Sequence, residues 1–113
     1  MPVRITSPLA VTTAAVVFPA AKPTGLTATA NSNCRITLNW NAVAGATGYK
    51  IERSSDSAMG KDIYSMSGQS TTTFVDTTLV PNRSYYYRVR ATVPEGDSDW
   101  TSPVIGTTQA ITA

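Results

Sequence analysis

Arg88 and Arg90 lie two residues apart in the run Tyr85-Tyr86-Tyr87-Arg88-Val89-Arg90-Ala91, so in an extended chain both guanidiniums emerge on one face. With Trp100 and Glu52 they form the group best equipped for recognition, because a guanidinium stacks on an indole and forks onto a carboxylate. Such a surface patch is read first as a ladder that trims the outside of a sheet, with recognition of a glycan as the less favoured alternative. Glu95, Asp97 and Asp99 alternate in Pro94-Glu95-Gly96-Asp97-Ser98-Asp99-Trp100. Their oxygens could gather around Ca²⁺, but alternating acids are also ordinary in a solvated hairpin, and no metal site is expected. Asn82-Arg83-Ser84 matches the N-glycosylation pattern, although it falls in a chain corner and is treated as chance. Cys34 shares parity with Ile36 and Leu38, which predicts a buried, inert thiol.

What is missing limits the chemistry further. The chain has no His and one Cys, so neither an imidazole base nor an internal disulfide is available. There is no nucleophile with a plausible base, no phosphate-cradling glycine loop and no Cys/His metal spacing. A catalytic site and a cofactor are therefore not expected. Nine basic and seven acidic residues give a formal charge of +2 without a Lys/Arg run, which argues against nucleic acid as a partner.

The elements that must position these side chains read as strands. Hydrophobic residues make up 42% of the 113 and charged residues 14%, a globular balance sufficient for one core. From Pro23 onward, strand-like runs recur every eight to fifteen residues or so between Gly, Asn, Ser and Pro clusters. They are 26–30, 34–40, 48–54, 62–66, 71–76, the run after Pro81, and 101–108. In 34–40, Ile36, Leu38 and Trp40 alternate with Arg35, Thr37 and Asn39. In 48–54, Tyr49 and Ile51 point inward and Lys50 and Glu52 outward, Phe74 anchors the fifth run, and Tyr85, Tyr87, Val89 and Ala91 share the inner face of the sixth. Pro103 in the last run is compatible with an edge strand.

Residues 1–21 have a different texture: no Gly, almost no charge and a β-branched centre. They are expected to form an extended arm that interacts through Val11, Val16, Val17 and Phe18. A helix opening at Ser7-Pro8 is opposed by the β-branched residues that follow. The apolar stretch 8–18 is too short for a membrane span. It could pass for a weak signal peptide, but a proline three residues before the cut is poor cleavage chemistry.

The seven runs, with Trp40 in the second and Leu79-x-Pro81-x-x-x-Tyr85 leading into the sixth, together resemble a fibronectin type III domain over residues 22–109, leaving 110–113 as a tail. That resemblance implies an all-β, seven-stranded antiparallel Greek-key sandwich of immunoglobulin-like architecture. It makes Leu79, Pro81 and Tyr85 a tyrosine corner, with Asn82 in place of the usual turn glycine. It also implies a core of Trp40, Leu38, Ile36, Tyr49, Ile51, Phe74, Leu79, Tyr85, Tyr87 and Val89. Immunoglobulin domains proper pair two cysteines across the sheets, and this chain has one. Integrin-binding members carry Arg-Gly-Asp in the loop where this chain has Glu95-Gly96-Asp97, so that binding is not implied.

Two functions are expected from these features. In the favoured one, a chain opening with Met1 and a sticky arm is a structural or decorating protein of a large assembly, such as a virion capsid or tail. The arm would add to a neighbour's sheet edge or mediate self-association. In the alternative, it is an adhesion, carbohydrate-binding or spacer module of a secreted or cell-surface multidomain bacterial protein.

Overall fold

The structure is a computed structural model and describes residues 21–111. Among these residues the order is β1 (Thr27–Ala30), β2 (Ile36–Asn39), β3 (Gly48–Ser54), β4 (Tyr64–Gln69), β5 (Thr73–Asp76), β6 (Ser84–Val93), β7 (Gly96–Asp97) and β8 (Val104–Thr107), with no helix. The smaller sheet runs β1-β2-β5, and the larger runs β4-β3-β6 with both β7 and β8 on the far side of β6. All pairings are antiparallel. Eight strands stand where seven runs were expected, because the hairpin at 94–100 contributes the two-residue β7 that its polar sequence does not announce.

Alternation decides which side of each strand is dry. β6 alternates half-buried and buried along all ten residues, and Tyr87, Val89 and Ala91 are fully covered. Ile36 and Leu38 of the smaller sheet and Ile51, which pairs with Val89 in the larger, are also fully covered, joined by Trp40, Tyr49, Leu79 and Tyr85. The Trp40 and Tyr49 rings meet edge to face at 5.4 Å and 66°, the arrangement that aromatic quadrupoles favour. Tyr49 Oη accepts the Val43 amide at 2.9 Å, so the phenol's polar end is met.

Boundaries and burial differ from expectation in several places, most of the strands being shorter than the expected runs. β4 begins at Tyr64, two residues after the expected start, and runs on to Gln69. Gly68 takes a φ of 79° where the β3–β4 register shifts between Tyr49 and Ile51; the extra residue is a bulge, which alternation alone does not reveal. Phe74, expected as the inward anchor of β5, is half-buried, and the deepest side chain of that strand is Asp76. Cys34 is half-buried in the bend before β2, with its sulfur 3.7 Å from Ser32 Oγ, rather than enclosed in the core.

The corner before β6 is closed by hydrogen bonds. Tyr85 Oη accepts the Val80 amide at 2.9 Å, Asn82 takes a φ of 53°, and Thr108 Oγ1 donates to Val80 O at 2.6 Å while accepting the Arg83 amide at 3.0 Å. These bonds pin the start of β6 to the end of β8. There the sheets approach closely: a Cβ on Gly106 would lie 3.0 Å from Ile36 Cδ1, 3.1 Å from Ile36 Cγ2 and 3.3 Å from Ala28 Cβ. Since Ile36 is fully enclosed, it has little room to retreat. Gly106→Ala is therefore expected to lose about 1–3 kcal/mol in urea unfolding; unchanged stability would mean that β8 does not pack this tightly on β1 and β2.

Candidate functional site

The outer face of the larger sheet brings together the four residues singled out around Trp100. Antiparallel register sets Glu52 opposite Arg88 and Lys50 opposite Arg90. Arg88 donates from Nε and Nη2 to Glu52 Oε1 at 2.8 and 2.6 Å. Its Cζ lies 4.7 Å from the Trp100 ring centroid, and that of Arg90 lies 4.2 Å away. Asp97 Oδ2 accepts from Lys50 at 2.8 Å and from Arg90 at 3.4 Å, and its Oδ1 accepts from Thr92 at 2.9 Å. Five charged side chains and one indole thus form a continuous ladder.

Two small polar residues hold Trp100 there, and sequence reasoning missed both. Ser98 Oγ accepts the Ala91 amide at 2.9 Å, and Thr101 Oγ1 accepts the Val89 amide at 3.1 Å. Their own amides return to Ala91 O at 2.8 Å and Val89 O at 2.9 Å. The hydroxyls act as substitute strand acceptors, clamping residues 98–101 to β6 although no regular strand continues there. The available signal was their position two and one residues either side of an exposed-face tryptophan.

Chemically, the ladder is largely satisfied from within. The indole already carries two guanidiniums, and Glu52 and Asp97 are spent on Arg88, Lys50, Arg90 and Thr92. The hydrogen bond from Lys50, then that from Thr92, holds the Asp97 carboxyl below its ordinary range. Its stabilising contribution is present above that range and is lost as pH falls from it through the lowered value of the folded state. Glu95 and Asp99 are exposed, and among the described residues no group of three His, Cys, Asp or Glu side chains comes together to hold a metal ion. Asn82 is exposed in the corner turn. Val11, Val16, Val17 and Phe18 lie outside the described residues.

A second polar cluster lies between the sheets. Arg53 Nη1 donates to both carboxylate oxygens of Asp76, at 3.1 and 2.9 Å. Tyr87 Oη, fully buried, donates to Asp76 Oδ2 at 2.8 Å. Arg53 also lies 4.7 Å from the Tyr64 ring and 5.4 Å from that of Tyr85. The cluster stitches β3 and β6 of one sheet to β5 of the other. Arg53 has the inward parity of Tyr49 and Ile51, a signal present in the sequence but masked by the habit of placing charges outside.

The sequence profile of the fibronectin type III domain matches residues 21–107. The chain belongs to the fibronectin type III family. It is 32% identical over 89 residues to the poly(3-hydroxybutyrate) depolymerase of Ralstonia pickettii, covering 78% of this chain and only 17% of that enzyme. Among solved structures, an Fn3-like protein from Clostridium thermocellum superposes with a TM-score of 0.69 at 29% identity, covering 83% of this chain and 96% of that one. The fn3 domain of the human collagen alpha-1(XX) chain superposes at 0.74 with 17% identity, covering 87% and 93%, a likeness of fold alone. Fibronectin type III domains are generally non-catalytic, mediate protein–protein contacts and occur in extracellular or secreted proteins. No helix among the described residues is long and apolar enough to cross a membrane.

The inter-sheet cluster gives this fibronectin type III domain an alkaline signature. Burial, then the neighbouring Asp76 carboxylate, pushes the Tyr87 phenol far above the ordinary value of 10.0. An unfolded tyrosine releases its proton near pH 10 while the folded one keeps it. The stability from a neutral Tyr87 is therefore complete below about pH 10 and declines above it, by up to about 1.4 kcal/mol per pH unit. Tyr87→Phe is expected to flatten that decline in denaturant titrations between about pH 9 and 12. A slope equal to the parent's would contradict the buried hydroxyl–carboxylate contact.

Proposed function

We propose that this fibronectin type III domain is a non-catalytic spacer within a larger secreted or cell-surface bacterial protein. The observation that carries it is the match to the Ralstonia pickettii depolymerase: most of this chain corresponds to 17% of that enzyme, so the aligned stretch is one module of a much longer polypeptide. The internally paired ladder of Lys50, Glu52, Arg88, Arg90, Asp97 and Trp100 supports a stiffening role over capture of a glycan, because a stacking sugar would have to displace a guanidinium already on the indole. The inter-sheet cluster supports the same conclusion, since it ties the two layers into one rigid body. The virion reading draws no support from the family or from these relatives.

The test is a chimera in which residues 21–107 replace the aligned segment of that depolymerase. A spacer is expected to preserve hydrolysis of both the solid polymer and a soluble ester, and Trp100→Ala in the chimera is expected to change thermal stability without changing polymer hydrolysis. Loss of activity on the solid polymer alone would replace the spacer with a specific binding role. Ester or polymer hydrolysis by the isolated chain would overturn the non-catalytic assignment.

A further inference from the structure

β4 and β5 are outer strands of the two sheets on one flank of the sandwich, and a groove of about 560 Å³ opens between them. That volume lies within the range of small-molecule sites. The surface of the groove is mainly polar. Among the described residues its only charged lining side chains are Arg53 and Asp76, which are paired with each other at 2.9 Å. An ion therefore meets no uncompensated charge there, and an apolar chain laid into it would strand polar groups.

The lining mixes donors, acceptors and one open aromatic face. Asp76 fixes the Arg53 guanidinium through Nη1, and the Tyr64 and Tyr85 rings lie 4.7 and 5.4 Å from its Cζ. Its Nε and Nη2 donate to nothing among the described residues, and 23% of the side chain is exposed. Thr77 and Thr78 add exposed hydroxyls; that of Thr78 donates to Thr77 O and keeps its lone pairs. Thr78 also holds a φ of 61°, a conformation unfavourable for a β-branched residue and concentrated at ligand clamps and other functional positions. Tyr64 is 51% exposed although the guanidinium covers one face of its ring, so the opposite face is open.

We propose that this groove binds a neutral saccharide, with one sugar ring stacked on the open face of Tyr64 and its hydroxyls shared between Arg53, Thr77 and Thr78. A sugar presents a C–H face to an aromatic ring and hydroxyls that both donate and accept, which answers a mixed lining without net charge. Trp100 is a poorer platform, because two guanidiniums already lie on its indole. An extended peptide finds little to pair with. Bonding at every second residue turns only Thr73 and Val75 of β5 away from β2, and Thr73 O already accepts from Thr71 Oγ1 at 3.0 Å. A carboxylate would gain from the Arg53 fork but would come to rest beside Asp76. The inference stands on the groove alone and holds whether or not the domain is a spacer.

NMR titration of the full chain tests it with three neutral pentasaccharides, cellopentaose, maltopentaose and chitopentaose, and with trigalacturonate as the charged comparison. At least one neutral sugar is expected to give saturable amide shifts at residues 64–66 and 74–78, in the millimolar range. Tyr64→Ala, a change at an exposed side chain, is expected to weaken that binding by about tenfold. Thr77→Val is expected to weaken it severalfold, and Trp100→Ala to bind as the parent does. Absence of saturable shifts with all three neutral sugars would overturn the proposal. So would shifts centred on Trp100, tighter binding of trigalacturonate, or parental affinity in both Tyr64→Ala and Thr77→Val.

Discussion

Strand β6 (Ser84–Val93) carries two surfaces at once, and the rest of the domain is arranged around that fact. Its inward residues Tyr85, Tyr87, Val89, Ala91 and Val93 are all buried, while Arg88 and Arg90 project outward to Trp100. It pairs with β3 on one side and with both β7 and β8 on the other. A one-residue slip would exchange the two faces, driving guanidiniums into the dry interior and phenyl rings into water. Strict register in this one strand thus sets both the core and the outer ladder.

Polar groups drawn into that arrangement are met mostly by short local substitutes. Ser98 and Thr101 complete the hydrogen bonding of β6 where β7 has ended, and Thr108 does so at the corner. Asp76 is enclosed but receives Arg53 and Tyr87 together, which is the condition under which burying a carboxylate is tolerable. Two nitrogens, Trp40 Nε1 and Arg90 Nε, are buried without a partner among the described residues. The first belongs to an indole held by its ring contact with Tyr49, the second to a guanidinium stacked on Trp100. In both cases packing geometry outweighs a donor that would otherwise cost about 1–3 kcal/mol to strand.

How much of this the sequence disclosed depended on the kind of signal. Period-two alternation located β2, β3 and β6 and their inner faces, because burial on one side leaves a direct imprint on residue type. The motif Leu79-x-Pro81-x-x-x-Tyr85 located the corner, and the parity of Arg88 and Glu52 placed them on the face where the structure pairs them. What escaped had weaker imprints. The bulge at Gly68 is a backbone event, the two-residue β7 is polar on both sides, and Ser98 reads as a loop residue and Thr101 as the start of the last run until β6 is seen beside them. Arg53 is the instructive case: its inward parity was visible, yet its burial depends on Asp76, which is distant in sequence and adjacent only across the sandwich.

The functional account follows from the same strand. A sheet whose outer face is cross-braced by ion pairs and whose inner face is stitched to the second sheet behaves as a rigid element, which is what a spacer in a long polypeptide requires. The most direct test of its dependence on β6 is native-state hydrogen exchange as a function of denaturant. The amides of residues 85–91 are expected to be the slowest of the domain and to open only with global unfolding. If they opened earlier, by local fluctuation, while the amides of β1 or β4 stayed protected, β6 would not be the element on which the fold rests.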